Sequence, residues 1–134
     1  MLINRKVTLK SVVTEEFRKQ FSNQVQSMIS EIKIELDKLK SSEQQLMLKS
    51  GSMDYNQIMQ IKEQLEREKS SREATIKELE SRMNQVSKMN DGDLFNQGLL
   101  EGTTEIKVGD NLDSKLGAAE IVVKDGIVQS ITEG

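Results

Sequence analysis

Residues 3–9 alternate strictly, with Ile3, Arg5, Val7 and Leu9 on one side and Asn4, Lys6 and Thr8 on the other. Period two with β-branched residues predicts a strand, flawed only by a charge at Arg5. Thr14-Glu15-Glu16-Phe17 follows. Its Thr hydroxyl is suited to capping orphan backbone N–H groups, and its two glutamates suit the positive end of a helix dipole. From there the apolar positions run Phe17, Phe21, Val25, Met28, Ile32, Leu36, Leu39 and, past polar Glu43, Leu46. Phe17, Met28 and Leu39 form an eleven-residue repeat, which predicts one helix face sustained from about residue 15 to about residue 48.

Lys49-Ser50-Gly51-Ser52-Met53-Asp54 breaks that pattern. Gly51 is suited to a left-handed helix end, and Ser52 or Asp54 to capping a second helix. In the second helix Ile58, Leu65, Leu79 and Val86 fall at heptad positions, with Ile61, Ile76 and Met83 as the other seam row. Two helices of about 35 residues joined by a short polar turn make an antiparallel hairpin with arms ~50 Å long. The competing reading, one continuous helix, leaves Gly51-Ser52 mid-helix at a cost of about 1 kcal/mol that nothing offsets.

Four Glu-to-Arg/Lys pairs at i,i+4 (Glu63–Arg67, Glu68–Arg72, Glu73–Lys77, Glu78–Arg82) support the second helix by about 0.3 kcal/mol each. Glu68 and Arg72 occupy positions where the seam asks for apolar residues. Either Arg72 bridges to Glu31 or Glu35 in a polar layer, or these side chains reach off the seam edge, which is the favoured reading.

After Asn90-Asp91-Gly92-Asp93 the sequence changes character. Leu100, Gly102, Thr104, Ile106 and Val108 alternate with polar residues, and Gly109-Asp110-Asn111 closes that strand. Residues 119–124 and 127–131 flank Asp125-Gly126, the signal for a type I′ hairpin turn. Three tail strands and the N-terminal strand suffice for a stable sheet, whereas a lone hairpin does not.

Charge supports joining the two ends. The net charge of −3 divides into a basic first thirteen residues (Arg5, Lys6, Lys10), a balanced middle, and an acidic segment 91–134 with nine acids against three lysines. Complementary ends favour pairing. The expected fold is therefore α+β. A long antiparallel two-helix coiled-coil hairpin (14–90, turn near 49–54) joins a small, mostly antiparallel β-sheet built from an N-terminal strand (1–13) and C-terminal strands (91–134).

Composition limits the chemistry. The chain has no His and no Cys, which removes the commonest general base, the usual zinc ligands, thiol nucleophiles and disulfides. Aromatics make up 3% of 134 residues, too little for a thick core but enough with Leu, Ile, Val and Met for narrow seams. No apolar run approaches the ~20 residues of a membrane span, and the N-terminus lacks a signal-peptide pattern. A cytoplasmic protein is expected.

These residues resemble the YlqD family of uncharacterised bacterial proteins. The resemblance rests on Val7-Thr8-Leu9-Lys10, the Thr14-Glu15-Glu16-Phe17 helix start, the charged helix pair, residues 105–113 (Glu-Ile-Lys-Val-Gly-Asp-Asn-Leu-Asp) and residues 121–128 (Ile-Val-Val-Lys-Asp-Gly-Ile-Val). It covers nearly the whole chain and implies the same layout. It also implies a cytoplasmic protein encoded in some bacteria near ribosome-maturation and translation genes. It assigns no activity.

Candidate sites are few. Asp110, Asn111 and Asp113 offer oxygen ligands, but the spacing misses the calcium-loop pattern, and turn formation is the favoured reading; the same holds for Asp91 and Asp93. Gly98, Gly102 and Gly109 do not make a phosphate-binding loop. Arg5, Lys6, Lys10, Arg18 and Lys19 cluster near one end and suit RNA phosphates, yet Glu15 and Glu16 adjoin them and no aromatics interleave; a solvated strand and helix face, or pairing with the acidic tail, is favoured. Ile34, Met47, Leu48 and Met59 lie off the helix stripes and point to a second contact surface.

No catalytic, cofactor-binding or metal-ligating residue is assigned. The expected function is non-enzymatic: a structural or protein-interaction protein that binds itself, as a homo-oligomer, or a protein partner, without membrane or small-molecule substrate. The alternative is a ribosome- or RNA-associated assembly factor. A prefoldin-like chaperone clamp is an analogy of shape only, since here the strands flank the hairpin in sequence.

Overall fold

The alternating residues 3–9 lie within β1 (Leu2–Val12), and the structure, a computed structural model, describes residues 1–133, with Ser50 described only in its backbone. The order continues α1 (Glu15–Lys49), a 3₁₀ turn (Ser50–Ser52), α2 (Tyr55–Lys88), β2 (Leu94–Glu105), α3 (Leu112–Leu116), β3 (Ala119–Lys124) and β4 (Ile127–Thr132). The α+β class and the sheet drawn from both chain ends are as the sequence reading expects. The chain divides into two compact units: residues 1–20 with 86–134, and residues 21–85.

The first unit holds a four-stranded sheet in the order β2-β1-β3-β4. β1 pairs antiparallel with β2 along its whole length, from Leu2 opposite Glu105 to Val12 opposite Leu94. It pairs parallel with β3, Val7 to Ala119 through Ser11 to Val123, and β3 pairs antiparallel with β4. β1 therefore lies between two tail strands, and residues 106–118 link β2 on one side of it to β3 on the other. The β3–β4 turn places Asp125 at φ 50° and Gly126 at φ 82°, the two positive values that a type I′ turn demands.

Residues opposite one another in a sheet share a face. Ile3, Arg5, Val7 and Leu9 thus lie with Leu100 of β2, Ala119 and Ile121 of β3, and Ile131 of β4. Val13, Val86 and Phe95 are buried in this unit, and the Phe17 and Phe95 rings meet at 6.0 Å between centroids. Backbone bonds fix this region: Val13 N–H donates to the Asp93 carbonyl (2.8 Å) and Gly92 N–H to the Val13 carbonyl (2.9 Å). Thr14 caps α1 as expected, its Oγ1 accepting from Phe17 N–H at 3.0 Å.

β2 is displaced from its expected position. It begins at Leu94 and ends at Glu105, leaving Ile106 and Val108 outside the strand. The ladder ends with Leu2 opposite Glu105, and beyond it Ile106 N–H donates to the carbonyl of Met1, at 2.8 Å. The helix α3, which the sequence reading does not anticipate, begins at Asn111, whose side chain accepts from Ser114 N–H.

The second unit is the helical hairpin. Contacts of Ser22 with Met83 and of Glu35 with Arg72 show α1 and α2 running antiparallel. α1 does not end in a left-handed glycine, for Gly51 has no positive φ. Instead the Ser52 hydroxyl donates to the Lys49 carbonyl at 3.0 Å, satisfying one of the acceptors left open at a helix end.

The eleven-residue stripe is also corrected. Met28 is 48% exposed, while Ile29 is 7% exposed. After Phe17, Arg18 and Phe21 in its first turns, the less exposed positions along α1 run Ser22, Val25, Ile29, Ile32, Leu36, Leu39, Glu43 and Leu46, an alternation of threes and fours. In α2 the same alternation runs Ile58, Lys62, Leu65, Lys69, Arg72, Ile76, Leu79, Met83 and Val86. Burial thus follows the 3.5-residue average of a heptad seam and not the roughly 3.67-residue average of an eleven-residue repeat.

Candidate functional site

The basic cluster read from the sequence is dispersed by the fold. β1 sends Arg5 to the same face as Val7 and Leu9, where it is 8% exposed and donates from Nη2 to the Gly117 carbonyl at 2.9 Å. Its Nε has no hydrogen-bond partner among the described residues. Lys10 lies on the opposite face and pairs with Glu120 at 3.0 Å. Arg18, one turn into α1, pairs with Asp91 at 2.6 Å and donates to the Met89 carbonyl at 2.7 Å. Lys6 and Lys19 are exposed. Basic N-terminal segment and acidic tail thus meet, as their opposite charges suggest, and pairing takes up Lys10 and Arg18.

The acidic turns hold themselves together. Asp110 accepts Lys107 N–H at 2.8 Å, and Asn111 accepts Ser114 N–H at 3.1 Å. Asp93 accepts Asn90 N–H at 2.8 Å. Such bonds are what Asp and Asn form in turns and caps. No group of three or more His, Cys, Asp or Glu placed to hold a metal ion occurs among the described residues. An open hollow beside β1 is lined by Asn4, Arg5, Lys6, Glu101 and Leu116.

On the hairpin, Arg72 Nε reaches Glu35 Oε2 at 2.9 Å, and Arg72 Nη1 donates to the Glu68 carbonyl at 3.2 Å. Of the two expectations, the bridge forms, but Glu35 is exposed and Arg72 only half-buried. It lies at the rim of the seam. Lys62 and Lys69, two further polar seam residues, escape the sequence reading because its phase selects Ile61 and Glu68. Ile61 is exposed, and with Leu46, Met53 and Leu65 it lines a groove near the hairpin turn.

Two groups of apolar side chains remain open. Ile34, Met47, Leu48 and Met59 are all exposed, Leu48 at 87%, as their positions off the stripe predict. Ile127, Val128 and Ile131 of β4 are exposed as well. The sequence reading gives no hint of that second group, because alternation alone shows which residues share a face and not whether anything covers it.

Fold and surface together define an α+β protein in which a mixed sheet from both chain ends accompanies a long helical hairpin. The chain belongs to the YlqD family, whose model (described as YlqD protein) matches residues 1–132. A crystal structure of a protein of unknown function from Synechococcus sp. WH 8102 is similar over 99% of this chain and 95% of that one, with 28% identity and a TM-score of 0.85. The search of curated proteins finds no match.

Proposed function

We propose that this chain is a non-enzymatic interaction protein of the cytoplasm, binding copies of itself or a protein partner through its coiled-coil hairpin and sheet. The observation that carries this reading is the apolar surface left open on the hairpin: Ile34, Met47, Leu48 and Met59 are exposed in one helix pair. Exposed apolar side chains on a helix pair supply the material of a binding face, and methionine among them suits adaptable packing. No helix among the described residues is long and apolar enough to cross a membrane, so a lipid bilayer does not account for that surface through a helical span.

The test is sedimentation velocity at tens of micromolar, together with capture from bacterial extract, comparing the full chain with an Ile34→Lys/Leu48→Lys variant. Loss of a partner or of self-association in the variant, with helicity unchanged, supports the reading. Unaltered association in both assays counts against the hairpin surface. The assembly-factor alternative gains no support from the dispersal of Arg5, Lys10 and Arg18. Its test is binding to ribosomal subunits under rising salt, with and without reversal of Lys6 and Lys10.

A further inference from the structure

We infer that β4 is a self-pairing edge: two copies of this chain join antiparallel along it, about a two-fold axis, into one continuous eight-stranded sheet. This rests on the proposed reading of the chain as one that binds itself, and names the surface.

The sheet has two outer edges and they differ in kind. The β2 edge carries Glu101 and Glu105. Charges of this sort are what keep sheet edges apart. β4 reads Ile-Val-Gln-Ser-Ile-Thr, with no charged residue and no proline, and all six residues are exposed. In a chain that is 31% charged, a neutral, apolar outer strand leaves its ladder groups open with no electrostatic guard. Two copies of it face each other without like-charge repulsion.

The register shift in β4 supplies the second argument. Ile121 pairs with Ile131, and Val123 with Val128, so Val128 and Ile131 share a face although they stand three residues apart. Ile127 and Thr132, opposite Lys124 and Glu120, both lie on the other face. The faces of Ile127, Val128, Ile131 and Thr132 are therefore the same read in either direction about the midpoint between Gln129 and Ser130. Antiparallel pairing of two copies about that point sets Val128 against Ile131 of the second copy, twice, and Ile127 against Thr132. Apolar meets apolar on the face that already holds Val7, Leu9 and Ile121. An arbitrary foreign strand has no such built-in match, whereas a second copy of β4 does by symmetry.

Light scattering on the full chain gives twice the monomer mass, and Ile131→Lys returns it to the monomer mass with an unchanged far-UV circular dichroism spectrum. Because the chain has no cysteine, Ser130→Cys carries a single nitroxide. In the dimer its two copies sit on strands about 5 Å apart and broaden each other's spectrum strongly. A label at Leu48→Cys serves as the comparison. A dimer that survives Ile131→Lys, or whose Ser130 labels show no mutual broadening, overturns the pairing and leaves self-association by another surface standing. A wild-type monomer at every concentration overturns the pairing and the self-binding half of the functional reading, while partner capture by the hairpin is judged separately.

Discussion

The Thr14 hydroxyl donates to Asp125 Oδ1 at 2.7 Å while accepting Phe17 N–H at 3.0 Å. One oxygen thus caps α1 and ties its start to the turn between β3 and β4, 111 positions along the chain. Thr14→Ala removes both bonds. A cap alone is worth about 1 kcal/mol, and the exposed second bond adds less than that. We expect Thr14→Ala to lower unfolding free energy by about 1–2 kcal/mol and Thr14→Ser by under about 0.5 kcal/mol. Urea denaturation of the three proteins checks this. Asp125→Asn keeps an acceptor oxygen and a residue type that tolerates positive φ, so it should follow wild type.

Arg5 presents the opposite balance. It is buried with its Nη2 on the Gly117 carbonyl and its Nε unmatched, and no carboxylate pairs with it among the described residues. A buried cation in that state contributes through its packed stem more than through its charge. Methionine of similar length keeps the packing and removes the desolvated charge, so Arg5→Met should be neutral or stabilising, by up to about 1 kcal/mol. Arg5→Ala leaves a cavity and should cost about 2 kcal/mol. Chemical denaturation separates the two substitutions, and a methionine variant as damaged as the alanine variant would show that the guanidinium itself holds the sheet.

The Arg72–Glu35 bridge is short, but both side chains are in contact with water, at 33% and 53% exposure. Exposed pairs of this kind are worth about 0–1 kcal/mol and are screened by salt. A double-mutant cycle of Arg72→Ala and Glu35→Ala should give a coupling under about 1 kcal/mol at low salt, shrinking further in molar sodium chloride. Arg72→Leu places an apolar group at a seam position and should raise the melting temperature despite losing the bridge. A fall would mean that the pair sets the register of the hairpin.

The layout was legible because it rests on local chemistry. Alternation marks β1, Thr14 marks the start of α1, and Asp125-Gly126 marks the turn between β3 and β4. These signals act within a few residues and survive any tertiary arrangement. The strand order was not legible. Placing β1 between β2 and β3 depends on which tail strand reaches its edges, and alternation in Val7 or Ile121 carries no information about neighbours. The limits of β2 were misplaced for a related reason: Ile106 and Val108 alternate as strand residues do, yet a ladder extends only where a partner strand exists. Among candidate sites, the basic cluster leaves a solvated face and pairing with the acidic tail both open, and Lys10 takes the second through Glu120. The burial of Arg5 followed from the face it shares with Val7, which the pattern showed as a flaw rather than as a position in the interior.

Met28 and Ile29 decide between two periods for α1. Both are apolar neighbours at the same height, so an eleven-residue repeat that selects Met28 and a heptad that selects Ile29 match the sequence almost equally well. The structure chooses the heptad, burying Ile29 and exposing Met28, and the choice has an energetic signature. Truncating a buried isoleucine removes transfer free energy and leaves a cavity, at about 2–4 kcal/mol. Truncating a half-exposed methionine on a helix costs little, since alanine is the better helix former. Ile29→Ala should therefore lower the unfolding free energy by at least about 2 kcal/mol, and Met28→Ala by under about 0.5 kcal/mol. If Met28→Ala proves the more damaging in denaturant titrations of the isolated chain, the seam runs through Met28 and the heptad register is wrong. If it is harmless there but weakens capture of a partner, Met28 belongs to the binding face with Ile34 and Leu48, a result that the heptad register permits and the eleven-residue stripe does not.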